Sequence, residues 1–375
     1  MRGILPGSTA LAAAGLLAPE AVAADGVTLK ISGRYKGAAG VVLLEDLSAA
    51  TGVADRDVRA YVFKQDVEVE FEGKTELDNG LTVGAAVQLE GQTDEDQIDS
   101  VYAYFSGGFG EIRFGDTEEA YAQLCYLVPS ASELFGADSP DFNFSNAGLA
   151  GYAGTNGTCY GIDDTSTKLV YFSPTFAGFK FAASFTPDNT EDTRNFLNRA
   201  GTRLRNDEEQ NSENLSLAAQ YAHDFGDATL TLGGGATISF NKEVNPNNTQ
   251  RARGYNAYAQ LEFGDLTIGA ATELRQNLHD DGADAWVYGF GATYDLDPWS
   301  FGLGWTHGAY EKAVGENDVG PFNADHDIVS ATVTYELLDG ISVDGVLEYS
   351  DYRSHDAAGP DYRGLAAGLG TLVEF

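Results

Sequence analysis

The sequence predicts an all-β fold, a 16-stranded antiparallel transmembrane β-barrel. Three observations carry this: two-residue alternation of apolar and polar side chains from Val27 to the C-terminus, an even number of such runs, and connections that alternate long and short. Mean hydropathy is −0.22 and the formal charge is −35, from 57 Asp and Glu against 22 Lys and Arg. Averaging a polar and an apolar face hides a barrel strand from any hydropathy window. The acidic excess argues against nucleic acid, which needs a basic face. A content of 43% hydrophobic residues argues against disorder.

Residues 1–24 read as a cleaved signal peptide. Arg2 forms a short positive region, Ala10 to Ala18 an apolar run, Pro19-Glu20 a break, and Ala21-Val22-Ala23 a small-x-small cleavage pattern. Residues 25–375 then form a single transmembrane barrel domain.

The alternating runs fall at approximately 27–44, 60–72, 80–91, 97–106, 109–116, 166–173, 178–187, 213–223, 228–240, 254–264, 266–276, 285–295, 299–310, 326–338, 341–351 and 362–375. In the first, Thr28, Lys30, Ser32, Arg34 and Lys36 oppose Leu29, Ile31 and Tyr35. In the second, Lys64, Asp66, Glu68, Glu70 and Glu72 oppose Tyr61, Phe63, Val67, Val69 and Phe71. The same parity recurs in Leu81/Val83/Ala85/Val87/Leu89, in Phe179/Phe181/Ala183/Phe185 and in Trp286/Tyr288/Phe290/Ala292/Tyr294. Short turns at Gly73–Asn79, Gly107-Gly108, Pro174–Ala177, Asp224–Asp227, Asp265, Leu296–Pro298 and Asp339-Gly340 alternate with longer connections. Long outer loops, short periplasmic turns and an even strand number are the plan of a bacterial outer-membrane barrel. Closure also leaves no unpaired edge in lipid. Aromatics near strand ends, among them Phe105, Phe114, Tyr171, Phe263, Trp286 and Trp299, suit the headgroup level.

The segment Gly107-Gly108-Phe109-Gly110-Glu111-Ile112-Arg113-Phe114-Gly115-Asp116 resembles the strand before the constriction loop of Gram-negative general porins, especially their alphaproteobacterial branch. Tyr171-Phe172-Ser173-Pro174-Thr175-Phe176-Ala177-Gly178-Phe179 is similar to that family's turn between its sixth and seventh strands, and the terminal strand ending in Phe375 is similar to its assembly signal. The resemblance implies a homotrimer in the outer membrane of a Gram-negative bacterium, with the third long loop folded inward as a constriction.

That loop, residues about 117–165, holds Glu118, Glu119, Glu133, Asp138, Asp141, Asp163 and Asp164 and no Lys or Arg. Folded inward, it would bring an acidic rim towards a basic wall of Arg34, Lys36, Lys64 and Arg113. Such a field orients dipolar solutes and filters ions. The expected function is a porin for passive diffusion of small hydrophilic solutes and ions, with cation preference because acids outnumber bases. Any single carboxylate would equally suit a solvated loop surface; the collective bias carries the reading.

Cys125 and Cys159, the only cysteines, both lie in this loop, and export to an oxidising compartment favours a bridge between them. No cofactor is expected. Asp94, Glu95, Asp96 and Asp99 would admit Ca2+, though without EF-hand spacing, and surface acids would suit divalent ions shared with lipopolysaccharide. Arg194, Arg199, Arg203 and Arg205 give one loop the opposite sign, suited to lipid phosphate, a neighbouring subunit or the lumen.

Enzymatic readings find little support. His223, His279, His307, His326 and His355 show no metal-ligand spacing, and Gly108-Phe109-Gly110 lacks the third glycine of a dinucleotide loop. A barrel lipase or protease is the alternative from another class. Within the channel class the competitor is a substrate-specific pore, for which Tyr102 and Tyr104 on the lumen parity would supply stacking rings.

Overall fold

The computed structural model describes residues 21–23, 26–48, 59–91, 97–147, 156–163, 165–188, 212–241, 251–277, 284–315, 319–356, 359 and 361–375. Most of the expected signal segment lies outside these residues; Ala21–Ala23 is a short strand paired antiparallel with Val27–Leu29. Asp164, Asp94, Glu95, Asp96 and the arginines between 194 and 205 also lie outside them.

Sixteen strands close into one antiparallel barrel. They are β1 (Val27–Ser48), β2 (Tyr61–Glu76), β3 (Thr82–Glu90), β4 (Ile98–Gly107), β5 (Gly110–Asp116), β6 (Thr167–Phe172), β7 (Phe179–Asp188) and β8 (Ser212–Asp224). The second half comprises β9 (Ala228–Asn241), β10 (Arg253–Phe263), β11 (Leu266–Gln276), β12 (Asp284–Leu296), β13 (Trp299–Gly315), β14 (Val319–Leu338), β15 (Ile341–Ser354) and β16 (Asp361–Glu374). Each pairs with its neighbours in sequence, and β16 pairs with β1 to close the ring. The last turn of that seam is tight: Gly33 and Phe375 exchange N–H···O bonds of 2.8 and 2.9 Å. A Cβ at Gly33 would stand 2.7 Å from the Phe375 ring, so the close approach there requires glycine.

Register fixes parity around the whole wall. Lys36 sits opposite Asp66 on β2 and Leu372 on β16, while Glu72, Ala86, Tyr102 and Gly115 follow one another across β2 to β5. One register step would exchange lumen and outer faces. The outer face carries the large exposed apolar side chains, including Phe63, Phe181, Phe290 and Leu303. Phe263, Tyr294 and Trp299 lie near the short-turn rim, and Phe114, Phe185 and Trp286 towards the opposite rim, giving two aromatic girdles.

The sixteen predicted runs coincide with sixteen strands, but several strands extend beyond them. β13 and β14 continue as a hairpin past residue 310, pairing Ala313 with Phe322 and Gly315 with Val319. Alternation fades there because a hairpin standing in water need not keep one face apolar, so periodicity underestimates its length.

Leu303, 61% exposed on the outer face between the two girdles, offers a test. Leu303→Arg should destabilise the barrel in lipid vesicles by about 2–4 kcal/mol in denaturant unfolding, the cost of a midplane charge. A water-facing position would be nearly neutral.

Candidate functional site

The described residues of the long connection between β5 and β6 lie inside the barrel against its wall. It opens with Glu119 and the single helical turn α1 (Ala120–Gln123). The first N–H groups of a helix lack partners within it. Here wall serines accept them: Ala120 N donates to Ser184 Oγ on β7 (3.0 Å) and Tyr121 N to Ser216 Oγ on β8 (2.8 Å). The Tyr121 hydroxyl donates to Glu273 on β11, and Tyr258 on β10 donates to the Leu124 carbonyl.

The path then runs along the wall and down it. Tyr126 stacks on Tyr258 with ring centroids 4.9 Å apart. Pro129 lies over Gly269 and Gly291, and a Cβ at Gly291 would stand 2.6 Å from the Pro129 carbonyl oxygen. Ala131 N donates to Thr332 Oγ1, and Thr334 Oγ1 donates to the Ala131 carbonyl. Leu134, Phe135, Phe142 and Phe144 pack with Ala38, Val346, Ala366 and Leu372, one of several apolar clusters between the loop and the inner wall. Beyond it Asp141 meets Lys36 on β1 at 2.5 Å, and Lys64 on β2 donates to the Asn143 carbonyl. The returning arm is held by Asn156, whose Nδ2 donates to Thr306 Oγ1 and the His326 carbonyl, and by Tyr160 N donating to Glu273. The described residues of the loop therefore cover the inner wall from β7 round to β1 and, among the described residues, leave the lumen face of β2 to β5 largely uncovered.

Within the loop, Cys125 and Cys159 form a disulfide with Cα atoms 5.8 Å apart. Closing a ring across a sequence separation of 34 removes unfolded-chain entropy worth about 3–4 kcal/mol. Asp138 ties the same two arms: its buried carboxylate accepts from Val128 N (2.8 Å), Thr158 N (2.9 Å) and Thr158 Oγ1 (2.6 Å).

The loop acids take different places. Glu119, Asp138 and Asp163 are buried joints. Glu119 accepts from Thr237 Oγ1 and Ile162 N, and Asp163 faces Lys168 at 3.6 Å with Ser166 and Thr186 as hydroxyl donors. Glu118 is half-buried, Asp141 is paired with Lys36, and Glu133 is exposed at the loop tip. On the basic side, Lys36 is buried between Asp141 and Asp66, and Lys64 caps the loop backbone beside the Phe144 ring. Arg34 stands half-buried on β1, at the edge of the covered wall, and Arg113 stands half-buried on β5 in the uncovered wall. Arg34 forms a bidentate pair with Glu68 (2.9 and 2.7 Å), and Arg113 Nε donates to Glu111 at 2.6 Å.

The uncovered wall carries residues outside the expected constriction set. Gln88 donates to Glu68, Tyr104 donates to Glu72 at 2.6 Å, and Glu70 stands between those acids without an ion-pair partner among the described residues. Lys180 on β7 faces the lumen near its short-turn end. The parity of β2 exposes the glutamate ladder in sequence, whereas the covering glycines Gly269, Gly291 and Gly302 show only as small residues at lumen positions.

A closed barrel with an apolar belt, a polar lumen and a loop pinned inside it defines an outer-membrane channel. A sequence profile of the Gram-negative porin family matches residues 7–355, and the chain belongs to that family. No match was found among curated proteins. Solved structures share the fold at low identity. A porin refined at 1.8 Å resolution is 17% identical with a TM-score of 0.57, over 92% of this chain and 100% of that one. OmpT of Vibrio cholerae, folded in vitro and solved in trimer form, is 14% identical with a TM-score of 0.57, over 94% and 100%. An anion-selective porin from Comamonas acidovorans is 13% identical with a TM-score of 0.56, over 93% and 100%.

Burial, reinforced by Asp163, pushes the Glu119 carboxyl up to about 7 from its usual 4.5. The folded loop thus favours the protonated acid. Its contribution is complete below about pH 4.5 and is lost as pH rises through about 7. Hydrogen exchange at the Tyr121 amide, which bonds Ser216 rather than Glu119, should lose protection across that window once corrected for intrinsic rate, and Glu119→Gln should reduce the pH dependence.

Proposed function

We propose that this outer-membrane porin is a water-filled, non-enzymatic channel for passive diffusion of small hydrophilic solutes and ions, and that it prefers cations. The observation that carries the preference is the uncovered wall, where Glu68, Glu70 and Glu72 stand in a row with Glu70 unpaired among the described residues. The loop's buried acids add little to ion selection, because they are spent on wall contacts. Glu133 at the exposed tip adds one carboxylate from the loop side. A water-filled path edged by unpaired carboxylates raises local cation concentration and repels anions.

The constriction in this reading is bounded by Glu133 and Asp141 on the loop and by Arg34, Lys36, Lys64 and Arg113 on the wall. The protein is exported by the segment 1–24 and assembles as a homotrimer, for which the trimeric OmpT of matching fold gives support. Lipopolysaccharide surrounds it in the outer leaflet, with Ca2+ as a bridging ion at surface acids. The resemblance of the quoted motifs to the alphaproteobacterial branch supports membership of that branch.

Reversal potentials across a planar bilayer in a KCl gradient test the preference. They should give a K+ over Cl− permeability ratio above unity, reduced in Glu70→Gln and further in Glu70→Lys. A ratio below unity in the native protein would overturn it.

A further inference from the structure

On the lumen side of β4 to β7, below α1 and near the short-turn rim, lies a cavity of about 370 Å3. It is at the small end of ligand-sized pockets. Glu111, Arg113, Phe172, Lys180, Ser106 and Ser173 line it. Two cations share one ring here: the Arg113 guanidinium lies 5.0 Å and the Lys180 ammonium 5.5 Å from the Phe172 centroid. Tyr102 flanks Arg113 at 4.9 Å from the other side of the site.

Arg113 is held in place by its own hydrogen bonds. Its Nε donates to Glu111 and its Nη1 to Gln123 Oε1 at 3.1 Å. Nη2 has no protein acceptor among the described residues, and Lys180 has no carboxylate partner among them. Among the lining residues two positive charges stand against one carboxylate, with Glu70 acting on Arg113 from outside the lining, in a chain of charge −35. The stacked guanidinium is weakly hydrated and oriented before any solute arrives, which lowers the cost of binding. Ser106 adds a hydroxyl for a polyol body, while the Ser173 hydroxyl is engaged, donating to the Pro174 carbonyl and accepting from Phe181 N.

We propose that this cavity is a binding station for small hydroxy-carboxylates, with the solute carboxylate between Lys180 and Arg113 Nη2 and its hydroxyls towards Ser106 and Glu111. The inference rests on the porin reading and adds a solute class to it. A pore whose entrance and mid-height are acidic thereby gains one place where an organic anion pauses. Its position beside the periplasmic turns makes it accessible from that side first.

Single-channel recording tests this with D-gluconate and D-glucose, which match in size and hydroxyl content and differ in charge. Gluconate added on the periplasmic side should interrupt the current, and glucose at equal concentration should not. Lys180→Met should weaken the gluconate block about tenfold, the effect of losing one charge-assisted hydrogen bond, and Lys180→Arg should restore it. Equal perturbation of the native channel by both solutes overturns the site and leaves the pore reading standing, as does an undiminished block in Lys180→Met. Absence of any conductance from the native protein refutes the pore itself. The native comparison of the two solutes requires no variant to fold.

Discussion

Everything in this molecule depends on closing the hydrogen-bond ladder between β16 and β1. A strand edge facing lipid would leave a row of unsatisfied N–H and C=O groups, each costing several kcal/mol. Closure through the Gly33–Phe375 pair and the Lys36–Leu372 register removes that edge. Once the ring is closed, parity does the rest. Every second residue faces lipid and must be apolar, and the others are released to line water. The charge of the chain can then be collected inside without cost to the membrane face.

The inner loop uses this freedom in an unexpected direction. A loop rich in carboxylates and without Lys or Arg suggests an acidic rim, yet several of those carboxylates hold the loop to the wall and to itself. Glu119 spans Thr237 and Ile162, Asp138 gathers three donors from the two arms, and Asp163 sits with Lys168. Burying an unpaired charge is prohibitive, so each has hydrogen-bond donors or a cation as its neighbour. The wall answers with serines that accept the helix N–H groups, threonines that bond the loop backbone at Ala131 and glycines that let that backbone approach closely. Polar side chains thus fix the shape of the channel, and the residues left unpaired set its field.

Strand number, parity and loop lengths were legible in the sequence because lipid and water impose them on every residue of a strand. The disulfide was legible too, since two thiols exported in one loop have few alternatives. The roles of the individual loop acids were not. Glu119 and Glu133 are the same side chain in the same loop, and only the path of the chain decides that one is buried beneath Thr237 and the other exposed. Periodicity carries no information about such a path, because the loop has none. The covering role of Gly291 is equally silent in sequence, where it is one glycine among 45.

The central claim is that the loop covers the wall from β7 round to β1 and leaves β2 to β5 facing the permeating solution. Cysteine accessibility measured through the ion current tests it most directly, since both native thiols are bridged. Glu70→Cys lies on the uncovered wall, and Gly304→Cys lies beneath the loop, where a Cβ is tolerated at 3.4 Å from its neighbours. A charged thiol reagent should step down the current through Glu70→Cys and leave Gly304→Cys unmodified. Modification of Gly304→Cys at the same rate as Glu70→Cys would contradict the account.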